Sequence, residues 1–220
     1  VVPVVGITGS NGKSTVTALL GEILENAGFK VGVGGNIGTP CLDLIDLDCD
    51  IYVLELSSYQ LETIADAKCE LATVLNLSPD HLDRYESDTD YYRTKASIYS
   101  NANIAVKNAD LDFDFSFNDG TELISFSGQR PADSQSYGIR TESEGTFLCQ
   151  GKRKILNCDR ISMRGSHNAE NALAAIAIAE RLGVAEEVIA ATLASFPGLP
   201  HRCELVAELD GTTFINDSKS

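Results

Sequence analysis

The fold of this chain is decided by the segment Gly6-Ile7-Thr8-Gly9-Ser10-Asn11-Gly12-Lys13-Ser14-Thr15. An apolar run at residues 1–5 precedes it and is typical of a buried strand, and residues 16–24 have the apolar spacing of a helix. A glycine-rich turn between a strand and a helix that starts with Lys-Ser is the context of a phosphate-binding loop, or P-loop. The strict motif has glycine five residues before Gly12, where this chain has Ile7. A tight turn that only connects strand and helix is the alternative, but such a turn does not require Gly-Lys-Ser-Thr.

Each residue type in this loop has a physical reason to be there. Glycines let backbone N–H groups turn toward an anion, and the helix start adds free N–H groups and a positive dipole end. We expect Lys13 to reach the terminal phosphates and Ser14 to offer its hydroxyl to Mg²⁺. The predicted nucleotide-binding residues of the loop are Gly9, Asn11, Gly12, Lys13, Ser14 and Thr15.

Length and composition limit the class of protein. The chain has 220 residues, of which 43% are apolar, so it can hold one large α/β domain or one domain and part of another. A net charge of −15 argues against a nucleic-acid-binding surface. The six cysteines show neither close pairing nor metal-type spacing, and no signal peptide or membrane-spanning run is apparent. We therefore expect reduced thiols, no membrane contact, a cytoplasmic location and a monomer.

The first half of the chain alternates strand and helix patterns, which predicts a mostly parallel sheet with helices on both faces. The ligand of such a sheet lies at the carboxyl ends of its strands. The predicted strands are residues 2–8, 29–33, 51–56, 71–77 and 104–107, and the predicted helices are residues 14–27, 40–47 and 89–100.

The pattern changes after residue 110. Phe113, Phe115 and Phe117 alternate with polar residues, and short apolar runs follow up to about residue 161, which predicts a small antiparallel β excursion. Two helices are expected at residues 172–182 and 185–195. A Pro- and Gly-rich break then indicates a domain boundary near Gly198, and strands at 204–209 and 213–215 would open a further α/β domain.

Two candidate metal ligands follow predicted strands. Glu55 is an acidic residue in an otherwise apolar strand, and a buried carboxylate is costly unless it meets a cation. Beside a P-loop the natural cation is Mg²⁺, and a carboxylate at a solvated sheet edge is the alternative. His81 lies between Asp80 and Asp83, where a carboxylate can fix the imidazole tautomer. From spacing alone, His81 is either a metal ligand or a structural histidine.

Other candidates lie outside these strands. Asn168 and Asn171 share one face of a helix's first turn, where their amides either bind a purine or phosphate or act in ordinary capping. Arg202 follows Pro-His and is either a bidentate phosphate clamp or a surface arginine. The spacing of Lys95 does not distinguish it, and we expect a solvated helix face there.

Taken together, these segments resemble the Mur ligases, and the resemblance covers the whole chain in order. The segments that carry it are residues 8–15, Gly34-Gly35-Asn36-Ile37-Gly38, Leu54-Glu55-Leu56-Ser57-Ser58-Tyr59-Gln60-Leu61-Glu62, Asp80-His81-Leu82-Asp83-Arg84-Tyr85, His167-Asn168 with Asn171, Gly198-Leu199-Pro200-His201-Arg202 and Asn216-Asp217-Ser218-Lys219. Within the family, the second and third segments favour the branch that adds D-glutamate. Related ligases usually carry Gly-Lys-Thr or Gly-Lys-Gly where this chain has Gly12-Lys13-Ser14.

The resemblance implies roles for individual residues. Lys13, Ser14 and Thr15 would hold the ATP phosphates, and Ser14 and Glu55 would bind a first Mg²⁺. His81 would bind a second Mg²⁺ together with Lys95 as an N-carbamate, which turns a repelling cation into an anionic oxygen ligand. Lys13, Lys95 and His81 are thus the expected catalytic residues. The remaining implied contacts are Asn168, Asn171, Arg202 and Asp217 for ATP, and Asn36, Ser57 and Lys219 for substrate.

The resemblance also implies an activity and a domain arrangement. We expect an ATP-dependent amide ligase that joins D-glutamate to UDP-N-acetylmuramoyl-L-alanine through an acyl phosphate. Residues 1–198 would form the ATP-binding central domain and residues 199–220 the start of a C-terminal domain. A UDP-binding N-terminal domain would be absent, so the chain alone is expected to be inactive. The alternatives are another Mur-type or folylpolyglutamate-type ligase, or a P-loop ATPase or switch without ligase chemistry.

Overall fold

The architecture comes from a computed structural model, which describes residues 2–64, 68–163 and 165–219. Its main feature is a nine-stranded sheet with the strand order β2-β3-β1-β4-β5-β6-β7-β8-β9. The strands are β1 Val4–Thr8, β2 Val31–Gly35, β3 Ile51–Glu55, β4 Cys69–Val74, β5 Ala102–Asn108, β6 Glu122–Phe126, β7 Tyr137–Glu142, β8 Gly145–Gln150 and β9 Arg153–Asn157. Strands β1 to β6 pair in parallel, and β7 to β9 pair antiparallel.

Strand β1 lies between β3 and β4, so its carboxyl end is the point where the chain order in the sheet reverses. Ile7 is paired with Glu55 of β3, and Thr8 is paired with Val74 of β4. A loop that follows β1 is therefore flanked by the ends of both neighbouring strands. This is where a doubly wound sheet binds its ligand.

Helices cover both faces of the sheet. They are α1 Lys13–Asn26, α2 Ser58–Thr63, α3 Asp88–Ala96, α4 Ser166–Arg181 and α5 Glu186–Ser195. Helices α1, α4 and α5 share one apolar core with Val5 and Ile7, and Asn26 of α1 donates a hydrogen bond to Thr192 of α5 at 3.0 Å. The opposite face of β4, including Val74, packs against Tyr99, which follows α3. The predicted parallel sheet with helices on both faces is confirmed.

Three local predictions differ from the structure. Residues 40–47 hold only a 3-10 turn, Cys41–Leu44, because Leu42 and Ile45 stay exposed and a longer helix would gain no core contact. Phe113–Phe117 forms no strand, and Phe115 instead packs on the Tyr99 ring with centroids 5.4 Å apart. Strand β6 pairs in parallel with β5, so it extends the main sheet, and the antiparallel excursion begins only at β7.

The end of the chain forms a separate hairpin of β10, Glu204–Leu209, and β11, Thr212–Asn216. Its apolar residues are largely exposed, including Val206 and Phe214. The division of the chain at residue 198 stays a prediction. All six cysteines are free thiols, as expected. Among the described residues, no helix combines the length and apolar character that crossing a bilayer requires.

Candidate nucleotide-binding site

The P-loop lies between Thr8, the last residue of β1, and Lys13, the first residue of α1. Gly12 caps the helix with a left-handed backbone (φ 78°), and a methyl group on it would lie 2.5 Å from Asn171 Oδ1. Glycine is therefore favoured at position 12 for two reasons: its backbone tolerates a positive φ, and it has no side chain that would collide with Asn171.

The end of β4 holds the loop in place through polar contacts. Asn11 N donates to Asn76 Oδ1 at 2.7 Å, and Asn76 Nδ2 donates back to the Asn11 carbonyl at 3.0 Å. Ser10 Oγ donates to the Ser78 carbonyl at 3.0 Å and accepts from Ser78 N at 2.9 Å. Sequence reasoning placed residues 76–81 at a strand end but did not find these contacts, because they depend on the pairing of β1 with β4.

The Lys13 side chain turns back over its own loop. Its ammonium donates to the carbonyls of Gly9 and Ser10, both at 2.9 Å. Burial lowers the pKa of Lys13, and the charge of Arg202 acts in the same direction, whereas Glu55 and Asp80 oppose the shift. Lys13 therefore lies at the loop among charged side chains of both signs.

Lys95 is buried, with only 2% of its surface exposed, so the solvated helix face expected from the residues alone is wrong. Its ammonium donates to the Gly9 carbonyl at 2.9 Å and lies 4.7 Å from the centre of the Tyr91 ring. Burial, followed by the charge of Lys13, lowers the pKa of Lys95 from 10.5 to about 7. The packing of α3 brings this lysine to the P-loop. The helical spacing of residues in the sequence does not predict that contact.

Glu55 ends β3 and is also buried, with 2% exposure, so it is not at a solvated sheet edge. Asn36 Nδ2 donates to its Oε1 at 2.8 Å, while Oε2 is buried and has no hydrogen-bond partner among the described residues. A buried carboxylate oxygen without a partner is costly unless a cation or donor reaches it. Ser57, two residues later, caps α2 and accepts a hydrogen bond from Gln60 N at 3.3 Å.

His81 lies at the rim of this cluster. It is exposed, has a left-handed backbone (φ 55°), and its Nε2 is 3.5 Å from Asp80 Oδ2. Its ring lies 6.0 Å from the ring of Tyr91, and the Lys95 ammonium lies 4.7 Å from the centre of the same Tyr91 ring. The fold thus brings His81 and Lys95 to the same tyrosine. Tyr91 itself is buried and was not singled out from the sequence.

A cleft of about 320 Å³ opens beside the P-loop. Its walls contain seven of the predicted nucleotide-binding residues, namely Asn11, Gly12, Thr15, Asn168, Asn171, Arg202 and Asp217. Asn171 Nδ2 donates to Asn168 Oδ1 at 3.1 Å, and Arg202 Nη2 donates to Ser14 Oγ at 3.4 Å. The cleft also contains Glu170, which sequence reasoning did not single out. Lys219 is exposed, and its backbone N–H donates to the His201 carbonyl at 3.0 Å.

Within the described parts of the chain, no three His, Cys, Asp or Glu side chains lie close enough together to hold a metal ion. A Mg²⁺ ion at Glu55 would therefore need further oxygen ligands from hydroxyl groups, water or phosphate.

The sheet order, the loop and the adjoining cleft define an α/β domain of the P-loop type. Residues 7–179 match the Mur ligase middle domain, and the chain belongs to this family.

The relatives that match are about twice as long as this chain. A UDP-N-acetylmuramoylalanine–D-glutamate ligase of Haemophilus influenzae (strain 86-028NP) is 46% identical, and the match covers 99% of this chain and 49% of that protein. A ligase of the same name from Methylobacillus flagellatus is 45% identical, with coverage of 98% and 48%. The chain thus spans about half the length of these relatives.

Solved structures of Mur ligases share the fold. MurF from Acinetobacter baumannii has a TM-score of 0.70 at 22% identity, covering 98% of this chain and 50% of that one. MurF from Thermotoga maritima, solved in complex with ADP, has the same TM-score and identity and is covered to 53%. At this level of identity the likeness concerns the fold alone.

Proposed function

We propose that this chain is the ATP-binding part of an ATP-dependent amide ligase that adds D-glutamate to UDP-N-acetylmuramoyl-L-alanine, a step in peptidoglycan precursor synthesis. The observation that carries the proposal is the meeting of Lys13, Lys95 and Glu55 at the strand ends beside the P-loop. The names of relatives at 45–46% identity support the choice of D-glutamate as the added amino acid.

The proposed domain arrangement follows the same comparison. Residues 1–198 would be the central ATP-binding domain, and residues 199–220, with the β10–β11 hairpin, would begin a C-terminal domain. The beginning of this second part carries Arg202 into the cleft wall. The proposed cleft is therefore completed from both sides of the boundary.

ATP would be held along the cleft. The N–H groups at the start of α1, with Lys13 and Thr15, would bind the phosphates, because a helix N-terminus favours negative charge. Arg202 would release Ser14 and clamp a phosphate with its planar guanidinium. Asn168, Asn171 and Asp217 would position the rest of the nucleotide. Asn36, Ser57 and Lys219 are proposed substrate contacts, the first two beside Glu55.

The chain offers suitable ligands for Mg²⁺. Glu55 presents a buried Oε2 that has no hydrogen-bond partner in the described part of the chain, and a hard cation prefers such an oxygen. The Ser14 hydroxyl is the second protein ligand of this proposed site. Bound there, Mg²⁺ would neutralise phosphate charge.

We propose further that Lys95 carries a carbamate and holds a second Mg²⁺ with His81. Carbamylation requires the neutral amine, and a pKa of about 7 makes that form available near neutrality. The carbamate nitrogen keeps one N–H, so the hydrogen bond to the Gly9 carbonyl would survive the modification. An anion at this position would also attract Lys13, which donates to the same oxygen.

The proposed reaction has two steps. A carboxylate oxygen of UDP-N-acetylmuramoyl-L-alanine attacks the γ-phosphorus of ATP, which forms an acyl phosphate and breaks the bond to ADP. The amine of D-glutamate then attacks the acyl carbon, loses a proton and expels phosphate, which leaves the amide. Lys13 and Arg202 would stabilise the charge on the phosphoryl group that is transferred, and the cleft would position the reactants.

The test is the substrate dependence of ADP formation in a full-length ligase containing this chain. We expect ADP only when UDP-N-acetylmuramoyl-L-alanine and D-glutamate are both present. ADP release without either substrate would instead indicate a P-loop ATPase. Turnover with a different amino acid or a folate acceptor would indicate another branch of the family.

A further inference from the structure

Ser10 lies within the P-loop, yet the sequence did not mark it as a nucleotide-binding residue. Among the described residues, the wall of the neighbouring cleft takes Asn11 and Gly12 from the loop but not Ser10. Only 9% of the surface of Ser10 is exposed, and its hydroxyl contacts other parts of the protein. Its role must therefore come from the groups that this hydroxyl joins.

The Ser10 hydroxyl uses its full hydrogen-bonding capacity. A serine hydroxyl has one proton to donate and two lone pairs that accept. The proton goes to the Ser78 carbonyl at 3.0 Å, because a carbonyl can only accept, and Ser78 N donates to Ser10 Oγ at 2.9 Å. The Tyr91 hydroxyl lies 3.4 Å from Ser10 Oγ and is therefore the donor in the third contact. The three bonds leave no hydrogen-bonding capacity for a ligand.

These contacts connect two separate segments to the P-loop. Ser78 stands three residues before His81, so its two hydrogen bonds with Ser10 fix the start of the turn that carries His81. Tyr91 is buried on α3, and Lys95 follows one helical turn later on the same face. The Tyr91 and Lys95 side chains donate to adjacent residues of the loop, and together they dock α3 against it.

The Tyr91 contact restrains α3 more firmly than the Lys95 contact does. A lysine ammonium sits on a flexible stem and can keep a hydrogen bond while the helix shifts. The Tyr91 ring is rigid and fully buried, so its hydroxyl sets the distance between α3 and the loop. The Lys95 ammonium lies 4.7 Å from the centre of that ring, and the His81 ring lies 6.0 Å from it. A shift of Tyr91 would therefore change the arrangement of both side chains.

We propose that Ser10 is a positioning residue, whose hydroxyl holds Lys95 and His81 in place relative to the P-loop without touching the nucleotide. This inference rests on the proposed ligase function, in which Lys95 and His81 act together beside the phosphates. Loss of the hydroxyl should leave nucleotide binding nearly intact and slow the reaction, because a misplacement of about 1 Å can cost about a hundredfold in rate. A loop residue that binds phosphate directly would weaken nucleotide binding instead.

The experiment measures kcat and the KM for ATP in a full-length ligase containing this chain, at saturating Mg²⁺ and saturating concentrations of the other two substrates. In Ser10→Ala we expect kcat to fall at least about tenfold and the KM for ATP to change less than about threefold. Calorimetry on this chain should give the same Kd for ATP with and without the substitution. Ser195→Ala is the matched control, because Ser195 is exposed and its hydroxyl also donates to a backbone carbonyl, at 3.1 Å. Its kinetics should equal those of the unmodified enzyme.

Tyr91→Phe is an independent test, since it keeps the buried ring, removes only the donor to Ser10 and applies even if Ser10→Ala does not fold. It should also lower kcat at nearly constant KM for ATP. The double variant should be no slower than Ser10→Ala, because both changes break the same contact.

Three results would refute the role of Ser10 while the ligase function stands. They are an unchanged kcat in both single variants, a raised KM for ATP at unchanged kcat, and losses that multiply in the double variant. If the unmodified enzyme forms no ADP with both substrates present, the proposed function fails and this inference fails with it.

Discussion

Lys13 and Lys95 donate hydrogen bonds to the same atom, the carbonyl oxygen of Gly9, each at 2.9 Å. Two ammonium groups this close repel one another, and burial strengthens the effect because little water screens them. Relief is available by loss of a proton from Lys95, whose pKa lies at about 7. Lys13 is therefore suited to bind phosphate at the P-loop, whereas Lys95, beside the loop, is suited to react as a neutral amine.

Lys13→Ala should abolish nucleotide turnover in the full-length ligase while the domain stays folded. Among the described residues its ammonium donates only to loop carbonyls, so its removal breaks no hydrogen bond to another helix or strand. ADP release and circular dichroism are the two measurements. Lys152→Ala, at an exposed position between β8 and β9, is the control and should turn over normally. Normal turnover in Lys13→Ala would refute the phosphate-binding role.

Glu55→Gln should lower the turnover rate by about a hundredfold or more, with partial recovery at high Mg²⁺. The amide is nearly isosteric and can still accept the hydrogen bond from Asn36, but it cannot neutralise a dication. Rate against Mg²⁺ concentration is the measurement. Glu25→Gln, on an exposed face of α1, should leave the curve unchanged. A normal Mg²⁺ dependence in Glu55→Gln would show that Glu55 is not a metal ligand.

Lys95→Ala should be nearly inactive, and bicarbonate or short carboxylic acids should restore part of the activity by supplying the missing oxygen ligand. The unmodified enzyme should lose activity as the pH falls below about 7, where the amine is protonated, and also when CO₂ is removed. Turnover with and without added carboxylate tests this. Full activity of Lys95→Ala would contradict the carbamate, as would a mass spectrum of the active enzyme at neutral pH in which Lys95 is unmodified.

Burial of Lys95 should also make the stability of this chain pH-dependent. Its pKa is lowered from 10.5 to about 7, so between these values the unfolded chain binds one more proton than the folded chain. Stability should therefore rise with pH in this window, and the penalty of burying the charge is fully present below pH 7.

Lys95→Met removes this dependence. In CO₂-free buffer, the free energy of unfolding of Lys95→Met relative to the unmodified chain should be more favourable at pH 6.5 than at pH 9.5, by roughly 1–3 kcal/mol. Urea titrations at the two pH values measure the difference. An equal difference at both pH values would show that Lys95 is solvated.

Gly12→Ala should weaken ATP binding and also lower the stability of the domain. Gly28→Ala is the matched control, because Gly28 also has a left-handed φ, of 93°, but a methyl group there meets nothing within 4 Å. Gly28→Ala should cost about 1–2 kcal/mol of stability from backbone strain alone. Gly12→Ala adds the contact with Asn171 Oδ1, so its cost should be larger, and calorimetry should show weaker binding of ATP. Equal effects of both variants on ATP affinity would contradict the packing of Asn171 on the loop.

Prediction from the sequence succeeded where local pattern carries the information. The strand before Gly9 and the helix from Lys13 follow from apolar periodicity and glycine placement. Residues 40–47 were expected to form a helix but contain only a 3-10 turn, because Leu42 and Ile45 are exposed and do not pack into the core. Apolar and polar residues alternate around Phe115 as in a strand, but its ring packs against the ring of Tyr99 instead.

The P-loop and the acidic end of β3 could be read from the amino-acid order alone, because glycines at set spacing and one carboxylate in an apolar run are visible without any distant contact. The burial of Lys95 and the position of Glu170 depend on how distant parts of the chain pack together. Lys95 reaches Gly9 across 86 residues of chain, and its desolvation comes from how α3 packs. Glu170 lines the cleft because α4 packs beside α1 and β6. Contacts of this kind depend on how separate helices and strands pack together, and the local sequence pattern does not predict that packing.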